Sequence, residues 1–104
     1  MSLTALLTLM DRFEGRKVRF NSLLKNHWRS TRELDFVLYL KRSRVEWLYE
    51  PVTFRLRGGL GDYTPDFYLP GEDVWVEVVG CRQALSWSKR KIERFFQDYP
   101  QERL

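Results

Sequence analysis

The stretch Tyr63–Gly80, YTPDFYLPGEDVWVEVVG, decides how this chain is read. Its pattern is that of a β-hairpin: "YTPDFYL" is one strand, "PGED" (Pro70–Asp73) a tight turn and "VWVEVV" (Val74–Val79) a buried strand. Side chains alternate along a strand, so Trp75, Glu77 and Val79 face one way and Val74, Val76 and Val78 the other. Glu77 thus stands mid-strand in apolar company, where burial of an unpaired carboxylate is costly and a cation partner is expected. Pro65 has no N–H to give and holds Thr64 extended, as at the start or edge of a strand. Counting back from the turn puts Asp66 near the position opposite Glu77. Two carboxylates so placed raise each other's pKa unless a cation neutralises them, and a shared divalent metal is the economical solution. The plainer alternative is an exposed hairpin acid at Asp66, with Glu77 paired to a basic residue of the last helix.

Charge is segregated around this stretch. Residues 1–57 carry twelve Lys/Arg against six acids, residues 58–80 none against five, and residues 81–104 six against three. Basic flanks around an acidic island suit a protein that attracts a phosphate backbone and holds divalent cations where it arrives. A solvated surface with an acidic turn has the same charge pattern.

A chain of 104 residues has room for one domain, and 43% apolar residues with four Trp fill its core. A single Cys81 excludes an internal disulfide, and with only His27 beside it there is no Cys/His zinc set, so any metal must take oxygen ligands. The opening "MSLTALLTLMDRF" has no basic leader region and reads as an amphipathic helix over about residues 2–13, with Leu3, Leu6, Leu7, Met10 and Phe13 on its stripe. Core packing is the first reading of that stripe, a partner-binding helix the second. A cytoplasmic protein with no membrane segment is expected.

"STRE" (Ser30–Glu33) ahead of an apolar run is a capping box, which predicts a helix over Thr31–Arg42 with Glu33, Phe36, Val37 and Leu40 on one face. An acid on a core-facing stripe needs a reason, either the cap hydrogen bond or a metal. "RVEWLYEPVTFRLRGG" alternates and is broken at Pro51, so it reads as two strands, and "GGLGD" (Gly58–Asp62) is a turn. A last amphipathic helix runs from about Gln83 to Asp98, with Leu85, Ile92, Phe95, Phe96 and Tyr99 on its stripe and Lys89, Arg90, Lys91 and Arg94 around it. The expected fold is α/β (α+β): a small mixed β-sheet, wound as a meander, flanked by helices.

"PDFYLPGEDVWVEVVG" resembles the signature of the PD-(D/E)XK nuclease superfamily, a Pro-Asp, a hairpin, then Glu-x-Lys on the next strand. The wider frame from "RSTRELDFVLYLKRSRVEWLYEPVTFRL" to "YTPDFYL" is similar to TnsA-like transposon endonucleases and small phage-type nucleases, and the resemblance covers about Arg29 to Pro100. It implies a restriction-endonuclease-like core. It also implies that Asp66 and Glu77 ligate Mg²⁺, with Mn²⁺ able to substitute, that Glu33 is the helix acid near the metal, and that the Val78 carbonyl faces the ion. The lysine of the pattern is absent, because Val79 stands in its place. Either the basic residue comes from the following helix, with Lys89 the first candidate and Lys91 the second, or the chain has lost catalysis and keeps the fold for binding DNA or a partner.

The expectation is therefore a metal-dependent DNA endonuclease, serving recombination or transposition, with a non-catalytic nucleic-acid-binding or assembly protein as the alternative. Arg16, Lys17, Arg19, Arg82, Gln83, Arg90 and Arg94 are the candidate nucleic-acid contacts. So small a module has little surface with which to read a sequence, so a homodimer, a larger nucleoprotein assembly or recognition of DNA shape is expected to supply selectivity. Trp28, Trp47, Trp75 and Trp87 are read as core before base-stacking platforms.

Overall fold

The computed structural model describes residues 3–16, 18–22, 28–79 and 82–104, the side chains of 3 and 82–87 aside. Lys17, His27 and Cys81 lie outside the described residues, as do the side chains of Arg82, Gln83, Leu85 and Trp87. The element order is α1 (Leu3–Arg12), β1 (Val18–Phe20), α2 (Thr31–Arg42), β2 (Leu48–Tyr49), β3 (Val52–Arg55), β4 (Asp62–Tyr63), β5 (Phe67–Leu69), β6 (Val74–Val76) and α3 (Arg82–Asp98).

The mixed α+β composition is as expected, but the strands form two sheets instead of one. β1-β3-β4 and β2-β5-β6 are each three-stranded, and every described pair is antiparallel. Two prolines account for the division. Pro51 separates β2 from β3 and Pro65 separates β4 from β5, and neither has an N–H with which to continue a ladder. At each break the chain leaves one sheet for the other. Glu50, with φ of 44°, makes the first of these corners in a conformation that few non-glycine residues adopt.

Helix α2 starts where its cap dictates: the Ser30 side chain accepts the Glu33 N–H at 3.2 Å. Its buried face is Glu33, Val37 and Leu40, with Phe36 half-buried, and it closes a small core with Tyr49 and Phe67. The helix stops at a tight turn in which Arg44 takes φ of 57° and the Val45 N–H returns to the Leu40 carbonyl. The larger core gathers Leu9 and Phe13 of α1, Phe54 of β3, Trp75 of β6 and Phe95 of α3, with Tyr99 just beyond. Phe54 is its hub, with ring centroids of Phe95 and Tyr99 each 4.8 Å away and those of Phe13 and Trp75 each 5.2 Å away.

The stripe read for α1 is rotated. Leu9 and Phe13 are buried, whereas Leu7 and Met10 are 51% and 43% exposed. Arg12, next to Phe13, turns that edge of the helix toward Glu102 and Asp73, which it reaches at 2.9 and 2.8 Å. Phe96 of α3 is likewise exposed, while Phe95 and Tyr99 are buried. Trp75 is core, and its indole N–H donates to Glu102 at 2.9 Å. Among the described residues no helix is long and apolar enough to cross a membrane.

Candidate metal centre

The hairpin has the expected register. Leu69, Tyr68 and Phe67 pair with Val74, Trp75 and Val76, which puts Asp66 opposite Glu77 one step further on. β6 ends at Val76, short of the expected Val79, because the ladder meets Pro65 just beyond Asp66. The Val78 N–H donates instead to Asp66 Oδ2, at 2.7 Å. Val78 thus orients Asp66 through its amide.

The neighbouring ladder brings a residue that the sequence reading did not single out. β2 pairs Tyr49 with Phe67, so Glu50 stands opposite Asp66, and its N–H donates to the Asp66 carbonyl at 2.8 Å. Glu50, Asp66 and Glu77 therefore form one row across three strands, just past the ends of β2 and β6. Glu33 reaches the same place from α2. Oxygen atoms of Glu33, Glu50 and Asp66 all lie within 4.8 Å of one another.

Each acid is held by specific bonds. Glu33 Oε1 accepts the Arg29 N–H at 2.7 Å and the Tyr49 hydroxyl at 2.9 Å, so it serves the helix cap and the cluster together. Glu50, 2% exposed, is ion-paired with Arg29 at 3.0 Å, and its carbonyl accepts Asn21 Nδ2 at 2.9 Å. Glu77 accepts the Tyr63 hydroxyl at 3.0 Å and stands opposite Asp66 in the hairpin.

Burial and crowding favour a proton on this acidic pair when no cation is bound. Burial, then the charge of Glu77, push Asp66 up to about 8, against the pull of the Val78 amide. Burial also raises Glu77, while the neighbouring Asp66 carboxyl and the Tyr63 hydroxyl hold it down. Tyr63 and Tyr49 are raised as well, first by burial and then by the adjacent carboxylates, so both stay neutral donors.

The donor set suits a hard divalent cation. Carboxylate oxygens bind Ca²⁺ at about 2.3–2.6 Å and Mg²⁺ at about 2.0–2.1 Å, so oxygens within 4.8 Å of one another can share a Ca²⁺ as they stand and close in by about half an ångström around Mg²⁺. Glu33, Glu50 and Asp66 would supply its ligands, with Glu77 opposite Asp66 in the hairpin.

The remaining sequence candidates are dispersed. Lys91 Nζ donates to the Asp62 carbonyl at 2.9 Å, away from the acidic cluster, and Lys89 is exposed. Val79 is 36% exposed. Arg94 is paired with Asp98 at 3.2 Å and bonded to Gln97, Arg90 is exposed on α3, Arg19 lies on the outer face of β1, and Arg16 packs over Tyr99. Glu50 had one signal in the sequence, an acid between the apolar run LeuTyr and a proline, but only the β2–β5 register shows what it faces. Comparison with known protein families, with curated proteins and with solved structures finds no match for this chain.

Proposed function

We propose that this protein is a metal-dependent DNA endonuclease that hydrolyses phosphodiester bonds on a PD-(D/E)XK-like core. One observation carries the reading: three carboxylates, Glu33 from α2, Glu50 from the end of β2 and Asp66 beside β5, converge on a single point of a chain with net charge +4, with Glu77 opposite Asp66 in the hairpin. A divalent cation held there would neutralise charge on a scissile phosphate and lower the pKa of a water bound to it. Arg29 and the Val78 amide keep Glu50 and Asp66 oriented toward the cation. Glu77, which is not one of the three ligands, would accept the proton of the attacking water, the task otherwise left to a lysine at position 79.

The test is incubation with supercoiled plasmid and a synthetic four-way junction, with Mg²⁺, Mn²⁺ or EDTA. Wild type is expected to cut only with metal, and Asp66→Ala, Glu50→Ala and Glu77→Ala to abolish cutting. Cutting that persists in EDTA or in the Asp66 variant overturns the proposal. The second reading, a DNA-binding module that holds metal without turnover, is favoured by Val79, by the engagement of Lys91 with the Asp62 carbonyl and by the exposure of Lys89. Its signature is DNA binding strengthened by Mg²⁺ with no cleavage.

A further inference from the structure

At the end of β3 away from Glu50, a cavity of about 390 Å³ opens between the turn after α1, β3 and the end of α3. Its wall carries three arginines, Arg16, Arg55 and Arg57, and one acid, Asp98. We propose that this cavity is a binding site for a phosphoryl group, separate from the acidic cluster and independent of its role.

The carboxylate of Asp98 is already committed. Oδ2 accepts the backbone N–H of Arg57 at 2.8 Å, Oδ1 is paired with Arg94 at 3.2 Å, and the side chain is 7% exposed. Among the described residues, the Arg55 and Arg57 guanidinium groups have neither a hydrogen bond nor an ion pair. Among the same residues, the Arg16 guanidinium donates only to the Asp98 carbonyl, at 3.1 Å. Guanidinium groups remain charged at every working pH, so three cations share one concavity with a single carboxylate that is otherwise engaged. An anion is the missing complement.

The geometry is also partly set in advance. The Arg16 guanidinium lies over the Tyr99 ring at 4.7 Å from its centroid, and the Tyr99 hydroxyl donates to the Arg55 carbonyl at 3.1 Å. The ring thereby ties the Arg16 side of the cavity to the Arg55 side, which reduces the ordering cost of binding. Planar guanidinium forks suit tetrahedral oxyanions, since each offers two parallel N–H donors to a pair of phosphate oxygens. The volume falls in the range of small-ligand sites, about 300–1,000 Å³. Such a phosphoryl group has two sources, a free phosphate compound or the backbone of a nucleic-acid strand.

The experiment is titration calorimetry of the full chain in EDTA, which keeps metal away from the acidic cluster, with pyrophosphate in one arm and a short DNA duplex in the other. Wild type is compared with Arg55→Gln, Arg57→Gln and Arg16→Lys, and with Arg32→Gln, which removes a charge from exposed α2. Arg55→Gln and Arg57→Gln are each expected to weaken binding about tenfold or more, Arg16→Lys to weaken it less, and Arg32→Gln to leave it unchanged. Pyrophosphate binding that tracks these arginines identifies a free phosphate compound as ligand. Duplex binding that tracks them, with the slope of log K against log salt reduced by about 0.9 per lost arginine, identifies a strand. The proposal is overturned if neither ligand binds, or if Arg32→Gln weakens binding as much as Arg55→Gln, since that marks a diffuse basic surface. Neither result bears on metal-dependent cutting, so the two proposals fail separately.

Discussion

Asp66→Asn is the most informative single change, because the metal-free cluster is expected to be a source of instability at neutral and alkaline pH. The Asp66 carboxyl rises from 3.8 to about 8 on folding. The native state therefore holds a proton that the unfolded chain releases, and stability from this group is full below about pH 4 and gone above about pH 8. At about 1.36 kcal/mol per pKa unit the ceiling is ~6 kcal/mol. The site has an open flank, and solvent screening reduces this to about 1–3 kcal/mol. For a domain of this size that is a fall in Tm of roughly 5–15 °C. The assay is thermal unfolding followed by circular dichroism in EDTA, from pH 5 to pH 8.5. Wild type is expected to lose stability across the window and Asp66→Asn to lose much less. Mg²⁺ at about 100 times its Kd is expected to return ~2.7 kcal/mol to wild type at pH 8.5 and nothing to the variant. Equal melting temperatures for wild type at pH 5 and pH 8.5, or an undiminished slope in Asp66→Asn, would refute the crowded-carboxylate account.

Tyr63→Phe removes a hydroxyl that holds the Glu77 pKa down, so the pH at half-maximal metal binding is expected to rise by roughly one unit in a Mn²⁺ titration. Phe54→Ala empties the hub of the larger core and is expected to cost ~3–5 kcal/mol, read as a lower urea midpoint. Ser30→Ala removes the cap of α2 and is expected to cost about 1 kcal/mol in thermal unfolding and to weaken metal binding, because Glu33 stands in that first turn; unchanged metal affinity would uncouple the cap from the site.

Much of the scaffold was legible because its signals are local. The capping box set α2 at Thr31–Arg42, and the hairpin count put Asp66 across from Glu77, as the ladder register has it. Helical periodicity found α1 and α3 but misjudged which of their apolar residues are covered. Periodicity shows that a stripe exists, whereas the neighbours it meets, such as Glu102 and Asp73 against Arg12, decide its angle.

The sequence by itself determined where helices begin, that the strand after Asp66 folds back on the one that ends near Glu77, and that an acidic pair would lie at this hairpin, since propensity, caps and turns act over a few residues. Tertiary structure alone decided that the strands divide into two sheets at Pro51 and Pro65, that Glu50 completes the acidic row, and that Arg16, Arg55 and Arg57 share one cavity. Those groupings join residues far apart in the chain, and they arise from the burial of Phe54, Trp75 and Phe95 in a common core, which no short-range pattern encodes.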